Sequence, residues 1–209
     1  MQVKAIQTVY KGYKFRSRLE ARWAVFFDTL GVDWEYEVEG FELGDGVYYL
    51  PDFKVTTSDG AVVWYEIKPF NENHCDKFAK FKELLEGSAS KINDAHAVML
   101  CGDPVNRLVE TDDEDFGMCP RCGIINTFAY GIYHSFEETH FGCMVCDYYT
   151  PGGRNDDLVP GLVCRSRSHK GANSVFSSEY KGVYLPKIAA AASKARSARF
   201  EHGESGASL

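Results

Sequence analysis

The stretch from Ser17 to Lys68 restricts the fold more than any other part of the chain. Residues 17–30, SRLEARWAVFFDTL, place Leu19, Trp23, Phe26, Phe27 and Leu30 at helical intervals and stop at Gly31, a residue suited to closing a helix. Three extended segments follow, VDWEYEV at 32–38, VYYLPDFKV at 47–55 and AVVWYEIK at 61–68, separated by Gly and Asp-Gly turn signals. Their Val, Tyr, Trp and Ile content predicts an antiparallel meander. A second helix is predicted over 73–85, with Phe78, Phe81, Leu84 and Leu85 as its apolar face, and AHAVMLCG at 95–102 predicts a short buried strand. Helix, three strands, helix and strand together predict an α/β (α+β) domain over residues 1–103.

Within that frame, Asp52 falls near the end of the second strand and Glu66-Ile67-Lys68 on the third, with 13 residues between Asp52 and Glu66. Side chains alternate along a strand, so Glu66 and Lys68 share one face while Ile67 points to the core. If Asp52 faces them across the hairpin, two carboxylates converge beside an ammonium. Such a set suits a hard divalent cation, Mg²⁺ or Mn²⁺, with Asp52, Glu66, the Ile67 carbonyl and waters as oxygen ligands. A cation there activates water and neutralises charge on a phosphodiester, while Lys68 positions or deprotonates the attacking water.

YLPDF and YEIKP, preceded by a helix carrying FRSRLEARWA, resemble the PD-(D/E)XK nuclease superfamily over about residues 10–102. The resemblance implies a mixed sheet flanked by helices and a metal-dependent DNA endonuclease with Glu20, Asp52, Glu66 and Lys68 as catalytic residues. It also implies that Glu20, on the first helix, joins Asp52 and Glu66 at the metal. The stretch GYKFRSRLEARWAVFFDTLG is similar to nuclease-like proteins of bacteriophages, which implies a phage origin and action in the bacterial cytoplasm. Two other readings stand beside these. Ser17-x-x-Glu20 is also a capping box, in which Glu20 satisfies backbone donors at the helix start. Arg16, Arg18 and Arg22 flank Glu20 as candidates to hold phosphates, or form a solvated helix face.

Four of the seven cysteines form two pairs, Cys119-Pro-Arg-Cys122 and Cys143-Met-Val-Cys146, with 20 residues between them. An odd total with two CxxC pairs suits metal ligation in a reducing compartment better than a disulfide scaffold. Four thiolates fit tetrahedral Zn²⁺ and leave no open position for a reacting water, so the expected role is structural. Redox use of the CxxC pairs is the alternative. The module, over 117–150, resembles a zinc ribbon and follows an acidic linker at 104–116. Its aromatic residues either stack on nucleic acid or pack internally.

The net charge of −7 argues against coating nucleic acid by bulk electrostatics, but the bases are unevenly spread. From Leu158 to Phe200 eight Lys and Arg stand against the single Glu179, a local charge of +7. Residues 151–209 are predicted as a basic irregular segment, an alanine-rich helix at 187–200 and a tail. On that helix Lys194, Arg196 and Arg199 are candidate contacts to a DNA backbone, with a solvated face or an oligomer contact as the alternative. No run of about 18 apolar residues and no signal-peptide pattern is present, so a soluble cytoplasmic protein with no membrane partner is expected. DNA is the expected partner, with RNA not excluded, and symmetric double-strand cutting would require a homodimer. The competing functional readings are an inactive nucleic-acid-binding adaptor and a phage–host interaction protein.

Overall fold

The computed structural model describes residues 5–69, 75–86, 95–104, 115–118, 123–128, 141–142, 149–150 and 185–200. It is a mixed α/β arrangement: three helices and a four-stranded mixed sheet among the described residues. None of these helices is long and apolar enough to cross a membrane.

The chain opens with a hairpin absent from the sequence-based expectation, β1 (Thr8–Tyr10) and β2 (Tyr13–Phe15). Its two-residue turn places Lys11 and Gly12 at φ of 50° and 84°, the left-handed values such turns need. Helix α1 (Arg18–Leu30) starts at Ser17, whose hydroxyl accepts the Glu20 N–H, and ends at Gly31 with φ 76°. Both ends match the sequence reading because each is a local device.

Strands β3 (Trp34–Tyr36), β6 (Phe53–Thr56) and β7 (Val62–Lys68) form the antiparallel meander. The segment predicted as one strand at 47–55 is split. Pro51 has no N–H for a ladder, and the chain before it forms β5 (Tyr48–Tyr49), which pairs with β4 (Phe41–Glu42) in a separate small sheet. Helix α2 (Asp76–Glu86) then returns the chain to β8 (Ala95–Cys101), parallel to β7. On α2, Phe78, Phe81 and Leu85 are buried, whereas Leu84, expected on the apolar face, is 40% exposed.

The sheet separates two apolar layers. On one side Val63, Tyr65 and Ile67 of β7 pack with Phe53 and with Trp23, Phe26 and Phe27 of α1. On the other, Trp64 packs with Tyr49 and the buried face of α2. With both faces covered, the interior of β7 is buried at every position from Val63 to Ile67, as expected for a strand in the middle of a covered sheet.

A third helix, α3 (Leu185–Ser197), adds to the first layer. Ile188, Ala191, Ala192, Ala195 and Ala198 are buried in the same core as α1, while Lys194, Arg196 and Arg199 are exposed. Methyl side chains on the buried stripe allow two helix axes to approach closely. Phe200 closes the packing edge-on against Tyr10, ring centres 6.2 Å apart. The predicted tail helix is therefore part of the core.

Two further hairpins are described, β9 (Asp115–Met118) with β10 (Ile125–Phe128) and β11 (Phe141–Gly142) with β12 (Tyr149–Thr150). β9 begins before position 117, where the cysteine module was expected to start. Ile124 and Ile125 belong to the main core, and the Tyr65 hydroxyl donates to the Ile125 carbonyl at 2.7 Å while accepting the Ile125 N–H at 3.2 Å.

Candidate active site

The site forms where two strands end out of step. β7 pairs with β6 only as far as Tyr65, opposite Phe53, yet continues beside β8 to Lys68. Glu66, Ile67 and Lys68 thus overhang β6. The Ile67 N–H would lack a ladder partner there, and the Asp52 carboxylate supplies one, accepting it at 2.7 Å. Asp52 is held in turn through its backbone, whose carbonyl accepts the Glu37 N–H at 2.9 Å. Glu37 has φ 47°, so the chain kinks away from the sheet directly after that bond.

Glu66 and Lys68 share a face, as alternation requires, and the ammonium of Lys68 meets Glu66 Oε1 at 2.6 Å. The other Glu66 oxygen accepts the hydroxyl of Tyr49 at 2.6 Å. Ile67 points into the α1 layer. Asp52 and Glu66 are 7% and 5% exposed, while the Lys68 side chain is 26% exposed, the most exposed of the three.

Glu20 is buried as well, and its carboxylate is fully engaged. Oε1 accepts from the Ser17 hydroxyl at 2.6 Å, and Oε2 accepts from the Tyr36 hydroxyl at 2.5 Å and the Arg16 N–H at 3.1 Å. This is the capping arrangement with one change: Glu20 takes the Arg16 N–H. Among the described residues no three His, Cys, Asp or Glu side chains converge as ligands of one ion. Glu20 is near enough for its charge to act on Asp52, but its oxygens are committed to the start of α1.

Among the described residues, three buried carboxylates stand beside one ammonium, an electrostatic imbalance. Burial, then the charges of Glu66 and Glu20, push the Asp52 carboxyl up to about 8, against the smaller opposing effects of the Ile67 N–H and Lys68. Without a cation, Asp52 therefore holds a proton at neutral pH. For Lys68, burial acts to lower the pKa, but the hydrogen bond to Glu66 and the charges of Glu66 and Asp52 outweigh it, leaving the group above the ordinary lysine value. An ammonium has no lone pair, so in this state Lys68 donates and does not abstract a proton. The Tyr49 phenol is pushed far up by burial and by Glu66 and stays a neutral donor.

The donor set fits Mg²⁺ or Mn²⁺ in kind. Asp52 and Glu66 offer oxygen ligands only, and Mg²⁺ sites commonly use one or two carboxylates, completing the shell with water and substrate phosphate.

Two of the three arginines expected to hold phosphates have carboxylate neighbours. Arg16 Nε lies 2.6 Å from Glu37, and Arg22 pairs with Asp103 at 3.0 Å. Arg18 is half-buried. Lys194 and Arg196 stand on the exposed side of α3, and Arg199 follows just past its end. The predicted zinc ligands Cys119, Cys122, Cys143 and Cys146 lie outside the described residues. In sequence, one pair falls between paired β9 and β10 and the other between paired β11 and β12.

Sequence reasoning overlooked Tyr36 and Tyr49, whose hydroxyls hold Glu20 and Glu66. Tyr49 stands inside YLPDF, but its partner becomes apparent only once Pro51 has split the segment. No family model matches the chain, and neither do any curated protein or solved structure.

Proposed function

We propose that this chain is a divalent-cation-dependent nuclease of the PD-(D/E)XK type that hydrolyses phosphodiester bonds in DNA. The observation that carries this reading is the burial of Asp52 and Glu66 at the overhanging end of β7, where Lys68 is the cation that faces them among the described residues. Buried carboxylates cost several kcal/mol unless charge or hydrogen bonds compensate, and a bound cation would offset that cost. The mixed sheet with helices packed on its faces also suits the fold that the resemblance implies.

Asp52 and Glu66 would hold Mg²⁺ or Mn²⁺. When bound, the cation would supply Lewis-acid stabilisation of the phosphate and water at lowered pKa. The protein residues do the rest. Asp52 is fixed from both sides by the Ile67 and Glu37 amides, so its carboxylate needs little reorganisation. Lys68, at the solvent edge, meets an approaching phosphate and donates to the charge that grows on its oxygens. Glu20 contributes negative charge and keeps the start of α1 in place.

The four cysteines would bind one structural Zn²⁺ in a ribbon, a reading supported by the two CxxC pairs each standing between antiparallel strands. Lys194, Arg196 and Arg199 would touch the backbone of nucleic acid without reading sequence.

The test is cleavage of supercoiled, branched and single-stranded DNA, and of RNA, with Mg²⁺ or Mn²⁺, by the wild-type chain and by Asp52→Ala and Lys68→Ala. Metal-dependent cutting lost in both variants is the expected result. Cutting that survives both excludes this site. Binding without cutting in any metal would identify an adaptor, and neither activity would favour a protein-interaction role.

A further inference from the structure

We infer that Tyr49 is a positioning residue of the cleavage site, fixing the Glu66 carboxylate through the hydrogen bond from its hydroxyl to Oε2. The inference rests on the nuclease reading and extends it to a residue outside the PD and ExK motifs.

Segment 49–52 grips two consecutive residues of β7. Tyr49 holds the Glu66 side chain at 2.6 Å, and Asp52 holds the Ile67 backbone at 2.7 Å. Only Leu50 and Pro51 separate the two grips, and the proline ring restricts the connection. Tyr49 is itself immobilised: it is 7% exposed, belongs to β5 and packs on the Phe81 ring at 4.9 Å. The small β4–β5 sheet thereby acquires a purpose, delivering a rigid phenol to the end of β7.

Among the described residues Glu66 has two donors, one on each oxygen, but they are not equivalent. Lys68 is charged, and a cation beside Glu66 repels it. The Tyr49 phenol is neutral and suffers no such repulsion. Tyr49 is therefore the donor that continues to fix the last torsion of Glu66 once Lys68 turns to the phosphate. Partners of this kind typically change metal affinity or activity by about 10- to 100-fold when removed.

The experiment measures Mn²⁺ binding by electron paramagnetic resonance, with Mn²⁺ as the only added ion, to the full chain and to Tyr49→Phe, Tyr48→Phe and Asp52→Ala. Tyr49→Phe keeps the ring on Phe81 and should bind Mn²⁺ about tenfold or more weakly. At saturating Mn²⁺ its kcat should fall with the KM for DNA unchanged. Tyr48→Phe, altered at a side chain 67% exposed on the same strand, should match wild type. Equal Mn²⁺ affinity in Tyr49→Phe and wild type overturns the inference while leaving the nuclease reading intact. Wild-type Mn²⁺ binding that is missing, or that survives Asp52→Ala, overturns both. Should Tyr49→Phe fail to fold, 3-fluorotyrosine at position 49 gives a second readout. Its ¹⁹F resonance should move on addition of Mg²⁺, and a resonance indifferent to Mg²⁺ overturns the inference.

Discussion

The carboxylate of Asp52 accepts the N–H of Ile67 at 2.7 Å, just beyond the last residue pair of β6 and β7. One side chain thereby completes a hydrogen-bond ladder and lines a buried acidic site. The two roles conflict electrostatically, because the ladder needs only an acceptor, whereas Glu66 and Glu20 oppose a further negative charge.

That conflict predicts a pH dependence. In cation-free buffer the folded-state pKa of Asp52 is raised from 3.8 to about 8, so between these values the folded chain keeps a proton that the unfolded chain has lost. Stability from this group is full below about pH 4 and declines as pH rises through about 8, by at most about 1.4 kcal/mol per pH unit. Asp52→Asn keeps an acceptor for Ile67 and removes the titration. It should be more stable than wild type at pH 8, with a flatter profile from pH 5 to 8, and inactive in cleavage. Urea unfolding at three pH values checks this, and parallel profiles would refute it.

Tyr65 carries a second prediction. Its hydroxyl satisfies both the carbonyl and the N–H of Ile125 in the core, directly next to Glu66 in sequence. Tyr65→Phe leaves two buried backbone groups without that partner, at a cost of about 1–3 kcal/mol. Hydrogen exchange should accelerate at Ile125 and along β10 more than in β3. Exchange unchanged at Ile125 would show that the hairpin is held by packing alone.

The cysteines yield a third. Metal analysis of the purified full chain should give close to one zinc per chain, lost in Cys119→Ser and in Cys143→Ser. Because Ile124 and Ile125 are core residues, zinc loss should also lower the melting temperature of the whole chain. Zinc-free protein from zinc-replete expression would rule out the module.

What could be read from sequence was what depends on local periodicity. Alternation put Glu66 and Lys68 on one face, and Ser17 and Gly31 marked the ends of α1. Asp52 could be brought near Glu66 because the short connection between β6 and β7 leaves few registers. The rest depends on partners distant in the chain. Nothing in YLPDF says that Tyr49 meets Glu66, or that Tyr36 and the Arg16 amide occupy Glu20. The β1–β2 hairpin was missed because Lys11-Gly12 is a weak turn signal beside Asn-Gly or Asp-Gly. Helix α3 was recognised from propensity, but its alanines gave little apolar contrast, so its burial against α1 was not legible.

Helix α3 offers the last prediction, since its two faces should respond differently. Ala195 is fully buried among the residues shared with α1, and Ala195→Leu inserts three carbons where there is no room, costing about 1–3 kcal/mol. Lys194, Arg196 and Arg199 are exposed, so replacing all three with Gln should leave the melting temperature nearly unchanged. If these side chains neutralise phosphates, the triple variant should bind DNA more weakly. Its dependence of log K on log salt should also be shallower, by about 0.9 for each duplex phosphate that is no longer neutralised. Titration of duplex DNA at several salt concentrations measures that slope. A slope equal to that of wild type would remove α3 from the binding surface and leave its basic side as a solvated face of the core.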